Sequence, residues 1–271
     1  MNVNPTENLG RIDTSVPNLA RVYDFLLGGA HNFSADRQFA AMALQRVPHA
    51  GDVARLNRAF LRRAVFFMVD NGIRQFLDIG SGIPTVGNVH EIAQQADPAC
   101  RVVYVDKEPI AVEHSRILLR GNERAAIVHA DLRDPDDLLG RPEIEQLLDF
   151  SQPIGLLTLC VWHFVSDVDD PAGLMARYRA ELVPGSYLAL THITRDYASP
   201  QLNQALDHAV QGTPDEFFPR DLTRVTSLFD GFELMPPGVV GCAGWRPEGP
   251  GDFSDEPGSN ATIYAGVGRV P

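Results

Sequence analysis

The sequence predicts an α/β fold in which a mostly parallel, doubly wound sheet is covered by helices on both faces. Two observations support this. After Gly72, short apolar runs alternate with segments of helical periodicity, and parallel strands need such long crossover connections. The runs are apolar along their whole length, which is typical of strands covered on both faces. A chain of 271 residues, 44% of them hydrophobic, can bury one sizeable core of this kind.

Helical patterns precede the first predicted strand. Three helices are expected there, over residues 17–27, 34–46 and 52–70. Pro17 suits the first turn of the first helix, and the Gly28-Gly29 pair ends it. Ser34 can cap the second helix. We expect residues 1–72 to form an N-terminal helical cap or lid and residues 73–271 to form the ligand-binding domain.

The rest of the chain supplies the sheet. The predicted strands cover residues 75–79, 102–106, 125–130, 154–162, 187–193, 232–240 and 261–270. The last two are joined without a convincing helix, so an antiparallel pair is expected at the sheet edge. The stretch 244–260, rich in Gly, Pro and Asp, predicts an exposed loop.

The amino-acid composition limits the classes of binding partner that we expect for this protein. A formal net charge of −12 excludes broad binding to a phosphate backbone, so no nucleic acid is expected. Four arginines are spaced like a solvated helix face: Arg55, Arg58, Arg62 and Arg63. The three cysteines form no disulfide framework, and no apolar run is long enough for a membrane span. A cytoplasmic protein with no membrane partner is the expectation, and a homodimer is compatible with the sequence.

The turn after the first predicted strand carries the chemistry. The strand ends in Asp78, and a glycine-rich turn follows through Gly80, Ser81 and Gly82. Glycines let the backbone approach a ligand closely and adopt conformations that other residues avoid. In open α/β sheets, ligands bind beyond the carboxyl ends of the strands. The sequence therefore predicts a ligand site at this turn.

Two cofactor classes compete for that turn. Dinucleotide-binding folds have a third glycine at the position where this chain has Thr85. They also bind a pyrophosphate at this turn, and Asp78 would repel it. A ligand with a cationic amino-acid tail and no phosphate removes both objections. S-adenosylmethionine (SAM) is such a ligand, and Asp78 would attract its ammonium group.

Acidic residues also end the next two predicted strands. Asp106, followed by Lys107, can accept hydrogen bonds from both ribose hydroxyls. Asp131, followed by Leu132, can reach the exocyclic amine of an adenine. An acid at one strand end is often only a helix cap, but acids at three successive strand ends agree with one nucleoside site.

The order of these motifs resembles the class I SAM-dependent methyltransferases. More narrowly, three segments resemble an actinobacterial family of such enzymes formerly catalogued as a domain of unknown function: PNLARVYDFLLGGAHNFSADR, FLDIGSGIPT and DDPAGL. The resemblance implies a seven-stranded sheet with the last strand antiparallel, an added N-terminal helical segment, and S-adenosylhomocysteine as product. One departure is Pro84, at a position where many methyltransferases carry a third glycine; we still count it with the cofactor turn.

A cluster near the N-terminus has two interpretations. Tyr23 precedes the paired glycines, and His31, Asn32 and Phe33 follow them. In a functional interpretation the loop covers the cofactor, and Tyr23 or Phe33 packs on the cationic sulfonium. In a structural one, the loop is a tight corner between helices. The resemblance favours the lid slightly, so Tyr23, His31, Asn32 and Phe33 are all candidate cofactor contacts.

Two histidines at strand ends are candidate bases. His163 follows the fourth predicted strand and His192 ends the fifth, so either ring could take a proton from an acceptor, with Tyr23 as a third catalytic candidate. Methyl transfer to a strong neutral nucleophile needs no base, and proximity can suffice. The two histidines lack a third ligand at a recognisable spacing, so no metal is expected.

The methyl acceptor is not encoded in any motif. The tetrapeptide of amino-methyltransferases is absent after the fourth predicted strand, where Val161-Trp162-His163-Phe164 stands instead. A small-molecule acceptor, through oxygen rather than nitrogen, is therefore slightly favoured. Two other classes stay open: a noncatalytic SAM-binding or regulatory protein, and an NAD-linked oxidoreductase.

Overall fold

The computed structural model describes residues 13–84, 87–208, 210–211 and 213–271. Within them, helices α1 to α11 span Leu19–Leu26, Ser34–Arg46, Ala50–Asp70, Val89–Ala96, Pro109–Leu118, Pro135–Leu139, Pro142–Leu147, Pro171–Ala180, Pro200–Asp207, Leu222–Ser227 and Pro257–Ala261. Strands β1 to β8 span Gln75–Ile79, Arg101–Asp106, Ala125–His129, Gly155–Leu159, Tyr187–Ile193, Glu233–Leu234, Val240–Gly241 and Ile263–Arg269.

The strands form one sheet in the order β3-β2-β1-β4-β5-β8-β6, with β7 also paired to β8. Strands β1 to β5 are parallel to one another, and β8 is antiparallel to β5. This confirms the predicted α/β fold with its mostly parallel sheet. The sheet has eight described strands rather than seven, because the two short strands β6 and β7 share the outer edge of β8.

Two cores cover the two faces of the sheet, as the uniformly apolar strands predict. Alternate residues of β2 point to opposite cores: Val102 into one, Val103 into the other. Helices α3, α4 and α5 contribute to the first core, and α6, α7, α8 and α10 to the second. Helix α3, which belongs to the predicted N-terminal segment, thus packs in the same core as one face of the sheet.

Helices α1 and α2 form a separate layer with its own small cluster around Val22, Phe39 and Ala40. Their ends differ slightly from prediction. Asn18, not Pro17, marks the start of α1, because its side chain accepts the N–H groups of Ala20 and Arg21. Ser34 is the first helical residue of α2 rather than its cap. The first twelve residues of the predicted cap lie outside the described part of the chain.

Three other sequence expectations are corrected. The fourth strand ends at Leu159, not at residue 162, because Cys160 adopts the left-handed conformation with φ of 57°. The strand expected over 232–240 breaks into β6 and β7 at Pro236-Pro237, since proline cannot donate to a sheet ladder. The stretch 244–260 is not simply an exposed loop, because Trp245 within it is fully buried.

Trp245 is buried because the C-terminal stretch is anchored on α3. The guanidinium of Arg63 is itself buried, and it donates to the carbonyls of Trp245 (2.9 Å) and Cys242 (2.6 Å) and to the Asp252 carboxylate. Arg63 therefore does not belong to a solvated helix face. Arg55 and Arg62 are exposed and paired with Asp52 and Glu248, as expected of such a face.

Candidate functional site

One large cavity of about 480 Å³ opens at the carboxyl ends of the parallel strands. Its floor is formed by the ends of β1 to β4, and its roof by α1, α2, α3 and α9. The predicted cofactor residues that line it are Tyr23, Asp78, Gly80, Ser81, Gly82, Asp106, Lys107, Asp131 and Leu132. The structure thus brings the residues at the three successive strand ends together around one space, as the sequence predicts.

The glycine-rich turn follows β1 and lies against β2. Gly80 and Gly82 adopt φ of 73° and 68°, which is the left-handed region that favours glycine. The N–H groups of Gly80 and Ser81 donate to the carbonyl of Val105 at 2.8 and 3.1 Å. A Cβ on Gly80 would lie 2.0 Å from a methyl group of Val161, so only glycine fits there. Thr85, the position of the missing third glycine, lies outside the described residues.

Asp78 is a buried acid at the floor of the cavity, only 6% exposed. Burial raises the pKa of its carboxyl to about 7, the nearby Asp106 adds to this, and the positive charge of Arg58 opposes it. A buried carboxylate of this kind is stabilised when a cation binds beside it. The site therefore suits an ammonium group next to Asp78.

Asp106 is held in place by the backbone around it. Its carboxylate accepts the N–H of Gly82 at 2.7 Å and the N–H of Glu108 at 2.8 Å. Burial nevertheless raises the pKa of this carboxyl. Each oxygen of a carboxylate can accept a second hydrogen bond, so a ribose diol can still bind here.

The end of β3 and its neighbours form the outer wall. Asp131 binds the Arg133 guanidinium through both carboxylate oxygens, and these hydrogen bonds lower the pKa of Asp131 although burial acts against them. Lys107 forms an ion pair of 3.0 Å with Asp215, a residue that also lines the cavity. This ion pair connects the segment after α9 to the end of β2.

The two predicted histidines lie in different environments. His163 lines the cavity and is buried, whereas His192 is fully buried and is not among the lining residues. The Nε2 of His192 accepts from Arg220 at 3.1 Å, so its Nδ1 carries the proton and donates to the Ile193 carbonyl at 2.7 Å. Burial lowers the pKa of His192 to about 3. His192 is therefore a packing residue behind the site, and its proposed role as a base is not supported by its position.

The loop of residues 27–33, between α1 and α2, has the geometry of a tight corner between two helices. The Asp24 carboxylate accepts the backbone N–H of His31 at 2.8 Å and the side-chain amide of Asn32 at 2.9 Å. A Cβ on Gly29 would meet Asp24 at 2.0 Å, which explains the paired glycine. His31, Asn32 and Phe33 do not line the cavity, and neither does Pro84. The structural interpretation accounts for these contacts without a ligand.

Tyr23 differs from the rest of its cluster because it faces the cavity. Its hydroxyl accepts from the amide of Asn57 at 2.9 Å, and the amide oxygen of Asn57 accepts from the hydroxyl of Thr191 at 2.7 Å. Thr191 in turn accepts the backbone N–H of Cys160 at 2.9 Å. Burial raises the pKa of Tyr23, so its phenol stays neutral. This chain of hydrogen bonds connects α1, α3, β5 and the end of β4.

Sequence reasoning missed several polar residues of the cavity, among them Asn57, Arg58 and Glu108. Asn57 and Arg58 of α3 line it, although the sequence suggested a solvated face for Arg58. Glu108 also lines it and accepts from the side-chain amide of Asn18 at 2.7 Å, which connects the start of α1 to the end of β2. The apolar stripe of α3 was the available signal: it fixes the buried face, but not the ligand on that face.

Other classes of site and anchor find little support in the described part of the chain. No group of three or more His, Cys, Asp or Glu residues there could hold a metal ion. The cysteines Cys100, Cys160 and Cys242 are unbridged. No helix that the structure describes is long and apolar enough to cross a bilayer.

Comparison with known proteins agrees with this geometry. A candidate methyltransferase from Thermobifida fusca YX has a crystal structure that matches with a TM-score of 0.89 and 39% identity, over 99% of both chains. A protein of the DUF574 family from Streptomyces avermitilis MA-4680 matches with a TM-score of 0.90 and 36% identity, over 96% of this chain and 100% of that one. No curated protein matches this chain.

The family pattern described as S-adenosyl methyltransferase matches residues 5–271, which is nearly the whole chain. SAM is therefore the cofactor, and neither a nicotinamide cofactor nor a purely regulatory role accounts for this match. The buried Asp78 and the close approach at Gly80 fit that cofactor. This chain belongs to the S-adenosyl methyltransferase family and is a SAM-dependent methyltransferase.

Proposed function

We propose that this enzyme transfers the methyl group of SAM to an oxygen of a small, largely apolar molecule. One observation carries the proposal: the cavity continues from the polar strand ends into a second half with mostly apolar walls. The side chains of that half come from α1, α2, α3 and α9, and they are Leu26, Phe39, Met42, Val47, Val53 and Leu206. Walls of this kind bind apolar ligand surface and offer few hydrogen-bonding groups to a polar ligand.

The size of the cavity supports a small acceptor. Its volume of about 480 Å³ must hold both the cofactor and the acceptor. That volume lies in the range of pockets for single small ligands, roughly 300–1,000 Å³. The net charge of −12 and the roof of helices both act against a nucleic-acid strand as acceptor.

The chemistry asks little of the protein besides position. When bound, SAM would supply a methyl group on a sulfonium for transfer to the acceptor oxygen, and the proton of that oxygen would leave to bulk solvent with the departing product. The residues of the chain then have to hold the acceptor oxygen in line and exclude competing water. Holding two reactants in line can supply a large part of such an acceleration.

We propose that His163 orients the acceptor oxygen rather than removing its proton. Its Nδ1 accepts the backbone N–H of Ile193 at 3.5 Å, so in the neutral ring Nε2 carries the proton and can donate. Burial lowers the pKa of His163 well below the usual value, and the neighbouring His192 and Arg220 act in the same direction. The rings of Phe164 and Phe217 pack against the imidazole of His163, with distances between ring centroids of 4.3 and 5.3 Å, and hold its orientation.

An acceptor panel tests the proposal. Purified enzyme is incubated with SAM carrying a tritiated methyl group and with matched pairs of acceptors, such as an aromatic phenol and the corresponding aniline, or a hydrophobic and a hydrophilic alcohol. We expect label transfer to the apolar oxygen acceptors, with S-adenosylhomocysteine formed in equal amount. Label transfer only to peptides, nucleic acids or polar amines would contradict it.

A further inference from the structure

Arg58 places a positive charge in the polar half of the cavity, although it belongs to a helix that precedes the common sheet. Arg58 is half-buried and lines the same cavity as Asp78. Its Nη2 donates to the carbonyl of Gly87 at 3.1 Å. Gly87 belongs to the loop that connects the glycine-rich turn to α4, so this bond positions the guanidinium between α3 and that loop.

The charge of Arg58 acts on the acids at the floor of the cavity. It lowers the pKa of the Asp78 carboxyl, against the larger effect of burial. It acts in the same direction on the phenols of Tyr23 and Tyr104. An acid and a guanidinium thus lie near each other at the place where β1 ends. A free amino-acid group carries the complementary pair of charges, an ammonium and a carboxylate.

Two further cations line this half of the cavity, and each forms an ion pair with an acid. Lys107 pairs with Asp215, and Arg133 pairs with Asp131 through two hydrogen bonds. Arg46 also lines the cavity, but it lies at the far end of α2, on the apolar side. Guanidinium groups match carboxylates well, because they offer several N–H donors in one plane.

We propose that Arg58 binds the carboxylate of the methionine part of SAM, while Asp78 binds its ammonium group. Helix α3 then contributes to the cofactor site as well as to the acceptor site. Loss of the N-terminal helices would therefore weaken cofactor binding and not only acceptor binding. The cofactor end of the cavity is separate from the acceptor proposed above, so either proposal can fail while the other stands.

Binding of two ligands to the apo protein tests this directly. Titration calorimetry compares SAM with its decarboxylated analogue, which keeps the amine and sulfonium and lacks only the carboxylate. We expect the unaltered protein to bind SAM about 10- to 100-fold more tightly, as one charge-assisted contact provides. In Arg58→Met the affinity for SAM should fall by that factor, and the affinity for the analogue should change less than about threefold.

Two further variants keep the test decisive. Arg58→Lys keeps the charge but not the planar donors, so it should recover part of the preference for SAM. Arg55→Met removes an exposed arginine one turn away and should bind both ligands like the unaltered protein. Equal weakening of both ligands in a folded Arg58→Met would overturn the proposal, because Arg58 would then act through the shape of the site. An unaltered protein without any preference for SAM would overturn it whether or not the variants fold.

Discussion

The two halves of the cavity are built in different ways. The half that we propose as the cofactor site (the cofactor half) consists of strand ends and a glycine-rich turn, where backbone groups hold Asp78 and Asp106 at fixed places in the sheet. The half that we propose as the acceptor site (the acceptor half) consists mainly of helix side chains such as Phe39, Met42 and Leu206, which the fold itself does not prescribe. The first half can stay constant in a family of enzymes with one cofactor. The second half can change its acceptor through substitutions on α1, α2 and α9.

The largest expected difference between the halves comes from Asp78→Asn. We expect the dissociation constant of SAM to rise about 100-fold or more, since the ammonium loses its charged partner. The variant should also unfold at higher denaturant concentration at pH 7.5. Burial raises the folded pKa of Asp78 to about 7, so its ionisation at that pH destabilises the folded state, and asparagine removes this cost.

Calorimetry and denaturant unfolding measure the two effects of Asp78→Asn. Asp230→Asn is the matched control, because Asp230 is exposed and lies outside the cavity lining. It should leave both quantities unchanged. If Asp78→Asn were destabilised and still bound SAM normally, Asp78 would be a structural acid and the division into halves would fail.

The next effect separates close packing from backbone conformation at the turn. Gly80→Ala and Gly82→Ala both place a side chain at positive φ, which costs about 1 kcal/mol of folding free energy. Only Gly80→Ala also meets Val161, so it should cost about 2 kcal/mol more. Guanidinium unfolding measures the difference. Equal losses in the two variants would mean that the approach of Val161 relaxes freely.

A smaller effect is the pH dependence of cofactor binding. Between pH 7.5 and 6, Asp78 takes up a proton in the free protein, because its pKa lies near 7. The ammonium of SAM binds the ionised form, so affinity should fall about tenfold over this range and the fall should continue at lower pH. Asp78→Asn should show a much flatter profile. A flat profile in the unaltered protein would assign the ammonium contact to another residue.

The smallest effect addresses the acceptor half. Met42 is 52% exposed at the rim of the cavity, so Met42→Glu should fold normally. It should raise the KM of an apolar acceptor about fivefold, because a charge replaces apolar contact area, and leave the affinity for SAM unchanged. Ile117→Glu changes an equally exposed side chain outside the cavity and should alter neither value. A shift in SAM affinity in Met42→Glu would show that the two halves are not separable.

The grouping of the three strand-end acids around one cavity was predictable from the sequence because its signals are local. Asp78, Asp106 and Asp131 each end a short apolar run, and parallel strands bring such ends to one edge. The acceptor half was not predictable, because the stripes of α1 and α3 fix only a buried face. Which part of that face meets the sheet and which meets a ligand depends on packing between distant elements.

Two residues show this limit clearly. Arg58 and Arg63 lie on the same helix, yet one reaches the cavity and the other the C-terminal stretch. Nothing in their spacing separates them from the exposed Arg55 and Arg62. His163 and His192 are similar strand-end histidines, yet only the first lines the cavity, while the ring of the second contacts Arg220. That partner lies 28 residues further along the chain.

The anchor at Arg63 has a consequence for the order in which the enzyme is made. Its acceptor at Trp245 lies 182 residues further along the chain. At a synthesis rate of about 5–20 residues per second, α3 waits about 10 to 40 s for that partner. During this interval the nascent chain exposes Arg63 and the apolar face of α3, because the C-terminal stretch that buries them has not yet been synthesised. A newly made chain can therefore complete the packing around α3, a helix that also lines the cavity, only after Trp245 has been synthesised.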